Sequence, residues 1–160
     1  MTVQKGQPST APRDGRDDGL ALESFLPFRL VRAAEQVSRR FAALYRDRHG
    51  LTRPEWRTLA NLGQHGRMTA TAIGARAAMH KTKVSRAVAS LERRKWIERT
   101  TDGRDRRIEH IELTPEGRRN YLDLAELARG FEARLTAELG PAGAAALDRG
   151  LTAVEAIDQL

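Results

Sequence analysis

The 160-residue sequence contains no cysteine, which excludes disulfide bonds and thiolate zinc sites. It has no apolar run long enough to cross a bilayer, and its basic stretches lack the bulky apolar partners of an amphipathic membrane anchor. The first twenty residues, MTVQKGQPSTAPRDGRDDGL, hold no apolar segment of the secretory kind, so a cytoplasmic protein is expected. Nor is there a Gly-rich phosphate loop, a Ser/His/Asp constellation or a carboxylate pair at a meaningful spacing. An enzyme is therefore not expected, and no cofactor is predicted. The four histidines, His49, His65, His80 and His110, stand one by one along the chain, and no metal site is predicted.

What the chain does have is positive charge. Lys and Arg number 28 against 21 Asp and Glu, a formal net charge of +7. Between Arg93 and Arg107 there are seven basic residues and three acidic ones, so the excess is concentrated in one short stretch. A nucleic-acid backbone is the expected partner of such a stretch.

That stretch leads into Ile97–Gly117, IERTTDGRDRRIEHIELTPEG. Two short strand-like runs flank a loop carrying Arg99, Arg104, Arg106 and Arg107. Asp102-Gly103 reads as a tight-turn pair, with Gly at positive φ and Asp bonding its own backbone. Ile108, Ile111 and Leu113 read as the returning strand, and Thr114-Pro115-Glu116 as a helix start. An arginine-tipped hairpin suits a duplex groove and its phosphates. Taken alone, the segment suits a solvated hairpin equally well.

Met68–Arg94 precedes it and reads as two short helices joined by a tight turn. Ala72, Ile73 and Ala77 give the first an apolar face, with Thr69 or Thr71 as its cap. In the second, Val84, Ala87, Val88 and Leu91 follow the helical period and are expected to face inward. Thr82, Ser85, Arg86, Ala89 and Arg93 must then face outward, with Lys81 and Lys83 near the helix start. Hydroxyl side chains beside a long arginine suit a major-groove reader, since Arg can bond guanine edges through two donors.

Helix, helix, reading helix and basic hairpin in that order define a winged helix-turn-helix. The chain resembles the MarR family of bacterial transcription regulators. The resemblance is carried by Leu51-Thr52, Glu55-Trp56-Arg57 and Leu59, by Val84-Ser85-Arg86 and Leu91-Glu92, and by Ile97-Glu98-Arg99. The wing, Asp102-Gly103-Arg104-Asp105-Arg106-Arg107, and its exit, Leu113-Thr114-Pro115-Glu116-Gly117, are the specific part. Two departures stand out: Lys95 occupies a position where family members usually carry glycine, and Ala78-Met79-His80 lacks the frequent glycine of that turn. With no cysteine, the thiol-based peroxide sensing of some family members is excluded.

The fold expected is mainly α, with a small β-hairpin wing on a winged helix-turn-helix flanked by N- and C-terminal dimerisation helices. Residues 1–20 read as a disordered tail. Residues 21–50 hold a helix with an apolar series through Leu26, Leu30, Ala34, Val37, Phe41 and Leu44, ended by His49-Gly50. Residues 51–115 form the DNA-binding lobe, starting with a helix capped by Thr52 with Pro54 in its first turn, and with Trp56, Leu59 and Leu62 on its inner side. Residues 116–160 hold a long helix through Leu124 and Leu135 to Gly140-Pro141, then an alanine-rich helix from about Ala142 to Gln159. The terminal stripes exceed what one small lobe can cover, which points to an isologous homodimer.

The resemblance implies a repressor that binds a pseudo-palindromic site on double-stranded DNA as a homodimer. Ser85, Arg86, Thr82 and Lys83 are assigned to bases, and Lys81 and Arg93 to phosphates. Arg104 is assigned to the minor groove, with Asp102 or Asp105 orienting a neighbouring arginine. Arg106 and Arg107 anchor the hairpin or meet the backbone, an Asp105–Arg107 ion pair being the competing role. The resemblance further implies release by a small aromatic carboxylate or phenolic effector, bound near Phe28, Arg29 and Arg32 of the first helix and Trp56, Arg57 and His65 of the second. The alternative function is a winged-helix protein-interaction module without specific DNA binding.

Overall fold

A computed structural model describes residues 19–157. Most of the tail expected over residues 1–20, and the expected helix end at Gln159, lie outside the described residues. Helices α1 (Leu26–His49), α2 (Arg53–His65), α3 (Ala70–Ala77) and α4 (Lys81–Arg93) precede strands β1 (Ile97–Thr101) and β2 (Glu109–Leu113). Helix α5 (Pro115–Glu155) closes the chain. The chain is therefore mainly helical with a two-stranded antiparallel wing, as the residue pattern predicts.

Two compact units divide at residues 36 and 37, inside α1. In the first, a turn at Ala21–Phe25 leads into the helix, with the Ser24 hydroxyl donating to the Ala21 carbonyl (3.1 Å). Of the α1 side chains there, Leu26 and Val31 are exposed, while Phe28 and Leu30 are half-buried.

In the second unit, the remainder of α1 buries Ala42 and Tyr45 and ends where Gly50 takes a left-handed φ of +62°. The Glu55 carboxylate accepts from both the Thr52 N–H (2.6 Å) and the Thr52 hydroxyl (2.7 Å), so the start of α2 is closed. Burial pushes the Glu55 carboxyl up, but hydrogen bonds from Ser90 and Thr52, with the charge of Arg94, bring it below its ordinary value. Helix α3 begins where Thr69 accepts from the Ala72 N–H.

The core of this unit runs through Tyr45, Leu51, Leu59, Leu62, Ile73, Val84, Val88, Leu91, Ile97, Ile111 and Leu124. Trp56 packs on it partly buried, edge-on to Phe41. Val84, Val88 and Leu91 are 1%, 1% and 0% exposed. At roughly 1.5–3 kcal/mol for each such side chain, they fix the rotation of α4 about its axis.

Residues 115–155 comprise two helical segments that part at Gly140, where the Gly140-Pro141 pair predicts the break. Gly140 is non-helical (φ +68°, ψ +164°) and precedes Pro141, which cannot donate to the helical ladder. The second segment is helical through Glu155.

Candidate nucleic-acid interface

With the apolar face of α4 turned inward, Lys81, Thr82, Lys83, Ser85, Arg86, Ala89 and Arg93 are all exposed, as their spacing requires. This surface is polar and cationic. No side-chain acceptor within the protein is recorded for Lys81, Lys83 or Arg86 among the described residues, while Arg93 Nε reaches only the Ala89 carbonyl (3.4 Å).

The turn from α3 into α4 does without glycine because Ala78 itself takes a left-handed conformation (φ +49°, ψ +51°). Lys95, after α4, does the same at φ +60°. A side chain in this region is strained, which is the cost of lacking glycine at both positions.

Strands β1 and β2 pair antiparallel from Ile97 with Leu113 to Thr101 with Glu109. Residues 102–108 connect them, so the connection is a loop rather than the tight Asp102-Gly103 turn expected. Gly103 is not among the glycines at positive φ, and Ile108 lies outside β2 and is 40% exposed. The reason is the Asp102 carboxylate, which accepts from the Arg104 N–H (2.8 Å) and the Asp105 N–H (3.2 Å) and closes the turn without a left-handed residue. These two backbone bonds, and then His110, hold Asp102 below its usual carboxylate range. Asp102 therefore shapes the loop and does not orient an arginine side chain.

Asp105 does orient one. Its carboxylate accepts from Arg107 Nε (3.1 Å) and Nη2 (3.3 Å), and the Arg107 side chain followed by its N–H keeps Asp105 below the ordinary range. Arg104 and Arg106 are exposed on the same loop, with no side-chain partner recorded among the described residues. Arg99 is placed differently from the expected loop cluster. It lies in β1, between Glu92 of α4 (3.2 Å) and Glu109 of β2 (3.2 Å), and braces the hairpin against the reading helix.

Further tying residues carried no local signal in the sequence. Met68 exchanges both backbone hydrogen bonds with Ile111, adding a bridge to the wing's edge. Arg67 donates to the Thr100 hydroxyl (2.9 Å). Two of the four histidines meet a carboxylate: His110 meets Asp102 at 3.1 Å, and His49 lies 3.0 Å from Asp123, though not aligned for a hydrogen bond.

The residues expected near an effector fall in different surroundings. Phe28 lies under the Arg32 guanidinium at 5.7 Å in the first unit, where Arg29 is exposed. In the second unit Trp56 belongs to an aromatic group with Phe41 (5.0 Å) and Tyr45 (6.0 Å), and Phe131 joins it through Phe41 (5.2 Å). Burial raises the Tyr45 phenol above its ordinary value despite the nearby Arg53. Arg57 donates to the Ala77 carbonyl at the end of α3 (3.2 Å), and His65 is exposed at the end of α2.

An inward-anchored α4 with a cationic outer face, followed by a braced basic hairpin, defines a winged-helix DNA-binding protein. Comparison with known proteins narrows the class. A sequence profile of the MarR family matches residues 49–108. The solved structure of a probable transcriptional regulator from Pseudomonas aeruginosa is 30% identical, with 82% of this chain and 97% of that one covered and a TM-score of 0.68. A MarR family transcriptional regulator from Silicibacter pomeroyi is 28% identical over 85% of this chain and 98% of its own, with a TM-score of 0.72. Bordetella bronchiseptica BpsR, whose DNA binding is regulated by 6-hydroxynicotinic acid, shares the fold at 21% identity, covering 79% and 98% with a TM-score of 0.68. No match is found among curated proteins. The chain belongs to the MarR family of winged-helix transcriptional regulators. It is a DNA-binding regulator, and its family is not one of enzymes. Among the described residues, no helix is long and apolar enough to cross a membrane.

Proposed function

We propose that the protein is a homodimeric repressor that binds a pseudo-palindromic operator and releases it when a small aromatic carboxylate or phenol binds. The observation that carries the operator reading is the outer face of α4, whose cations and hydroxyls are exposed while Val84, Ala87, Val88 and Leu91 are buried on its inner side. Ser85 and Arg86, with Thr82 and Lys83, read base edges; Lys81 and Arg93 meet phosphates. Arg104 enters the minor groove and Arg106 meets the backbone, whereas Arg107, held by Asp105, serves the shape of the loop.

The dimer is supported by apolar surface at the ends of the chain. Leu26 and Val31 in α1, and Leu139, Leu147, Leu151 and Val154 in α5, are each more than 40% exposed. A second copy covers such stripes most simply by two-fold symmetry. Two reading helices related in this way meet successive major-groove faces about 34 Å apart, and the operator is an approximate inverted repeat.

The effector is supported by the regulation of BpsR by an aromatic acid. The residues assigned to it, Phe28, Arg29 and Arg32 in the first unit and Trp56, Arg57 and His65 in the second, include aromatic rings and cationic or hydrogen-bonding groups, the chemistry that an aromatic carboxylate requires. Release demands tighter binding to the DNA-incompetent arrangement, since equal affinity for both shifts nothing.

Selection of duplexes from a random library, followed by footprinting, tests the operator. Enrichment of an inverted repeat, with specificity relaxed at one base position per half-site in Arg86→Ala, is expected. Absence of any enriched sequence sinks the reading. Titration of the bound complex with 6-hydroxynicotinate and benzoate then tests the effector class, and an unmoved DNA affinity at millimolar concentrations of both counts against it.

A further inference from the structure

We propose that Arg94 is a positioning residue for DNA reading, which fixes the C-terminal end of the reading helix to the ends of α1 and α5 and never touches DNA itself. The proposal rests on α4 being the reading helix.

Arg94 is the C-terminal cap of α4, yet its side chain serves another helix. Its Nη1 donates to the His49 carbonyl (2.8 Å) and its Nη2 to the Gly50 carbonyl (2.8 Å). These are carbonyls at the end of α1, where the helix has run out of N–H partners and carries partial negative charge. One planar guanidinium satisfies both, in a forked geometry that only arginine provides. The same group sits 5.2 Å above the Trp96 ring and contributes to holding Glu55 of α2 ionised.

The two residues that follow complete the joint. Lys95 reverses the chain at φ +60°, and its carbonyl accepts from the Thr114 hydroxyl (2.7 Å). The Trp96 carbonyl accepts from the Thr114 N–H (3.0 Å). Thr114 is also the cap of α5, accepting from the Gly117 N–H (3.0 Å). Gly117 is buried there, where any Cβ would run into the Trp96 carbonyl. Three consecutive residues thus tie the end of α4 to the end of α1 on one side and the start of α5 on the other.

A reading helix must be held within a fraction of an ångström to meet base edges, whereas nonspecific phosphate binding tolerates displacement. Loosening the joint therefore removes sequence discrimination before it removes nonspecific binding. A direct phosphate contact behaves otherwise, since its loss weakens all sequences alike and lowers the salt slope by about one.

The test uses the full chain and a duplex selected by the wild-type protein from a random library, with a scrambled duplex of the same composition. Affinities of wild type, Arg94→Ala and Arg94→Lys are measured by fluorescence anisotropy over a range of KCl, at a temperature where thermal melts show each variant folded. Arg94→Ala should bind the selected duplex about tenfold more weakly, with the scrambled duplex and the salt slope unchanged. Arg94→Lys, which keeps a donor and loses the fork, should lie between. If Arg94→Ala does not fold, the same comparison is made with Arg94→Lys. An unchanged affinity for the selected duplex overturns the proposal, as does a salt slope lower by about one. A loss shared equally by both duplexes also overturns it, because a merely structural role predicts that result. Failure of the wild type to select any duplex removes the DNA reading itself and this inference with it.

Discussion

His110 Nε2 lies 3.1 Å from Asp102 Oδ2, so the carboxylate that closes the wing's turn is also held by the strand that leaves it. The other oxygen of Asp102 takes the N–H groups of Arg104 and Asp105. One side chain therefore shapes the loop that displays Arg104. Asp102→Ala should weaken binding to a selected duplex by roughly fivefold, the scale of ordering one or two side chains on binding. The global fold should be retained, since Asp102 lies outside the core. Anisotropy titration together with far-UV circular dichroism checks both halves of this expectation.

Acid should act through the same carboxylates. Asp102, Asp105 and Asp123 are each held below the ordinary aspartate value of 3.8, by backbone bonds from Arg104 and Asp105, by Arg107 and by Arg48 respectively. A depressed folded-state pKa contributes stability above the unfolded value and loses it as pH falls through the folded value. Melting temperature should thus hold down to about pH 5 and fall below about pH 4. In Asp123→Asn the fall should be shallower, and an identical acid limb in that variant would contradict the assignment.

Gly117 should tolerate no side chain. Its place beneath the Trp96 carbonyl leaves no room for a methyl group, and the obstacle is backbone rather than a flexible side chain. Gly117→Ala should cost about 3 kcal/mol or more in urea denaturation. Gly103→Ala, in open space on the wing, should change stability by no more than roughly 0.5 kcal/mol.

The two left-handed residues offer the opposite sign. Ala78 and Lys95 occupy a region that favours glycine, so Ala78→Gly and Lys95→Gly should each stabilise the fold by about 1 kcal/mol. A loss of stability in either variant would show that side-chain contacts outweigh the backbone strain there.

Neighbouring arginines of the wing should separate by salt dependence. Arg104 has no side-chain partner recorded among the described residues, whereas Arg107 is bound to Asp105. Arg104→Ala should lower the slope of log affinity against log salt by about one, and Arg107→Ala should leave it nearly unchanged. Equal slopes in the two variants would remove this division of labour.

Much of this architecture is readable from local pattern. The inward residues of α4, the Thr52 and Thr114 caps and the stop at Gly50 all follow from spacing within one or two helical turns. What escaped is non-local. Arg99 looks like one more wing cation until the fold brings Glu92 and Glu109 to it, and nothing near Met68 announces a bridge to Ile111. Gly103 misled for a related reason, because an aspartate that bonds two N–H groups can turn the chain without the conformation that glycine permits. Ala78 and Lys95 show the converse, left-handed backbone without glycine, imposed by the packing on either side.

The acceptors of Arg94 are main-chain carbonyls, which every residue type carries. Substitutions at His49 therefore leave the acceptor in place and call for no compensating change at position 94. A tie of this kind leaves no correlated pair for comparison of sequences to find, although it links residues 45 positions apart. Couplings that position a reading helix can in this way be written in backbone on one side, and remain invisible to any search for co-varying side chains.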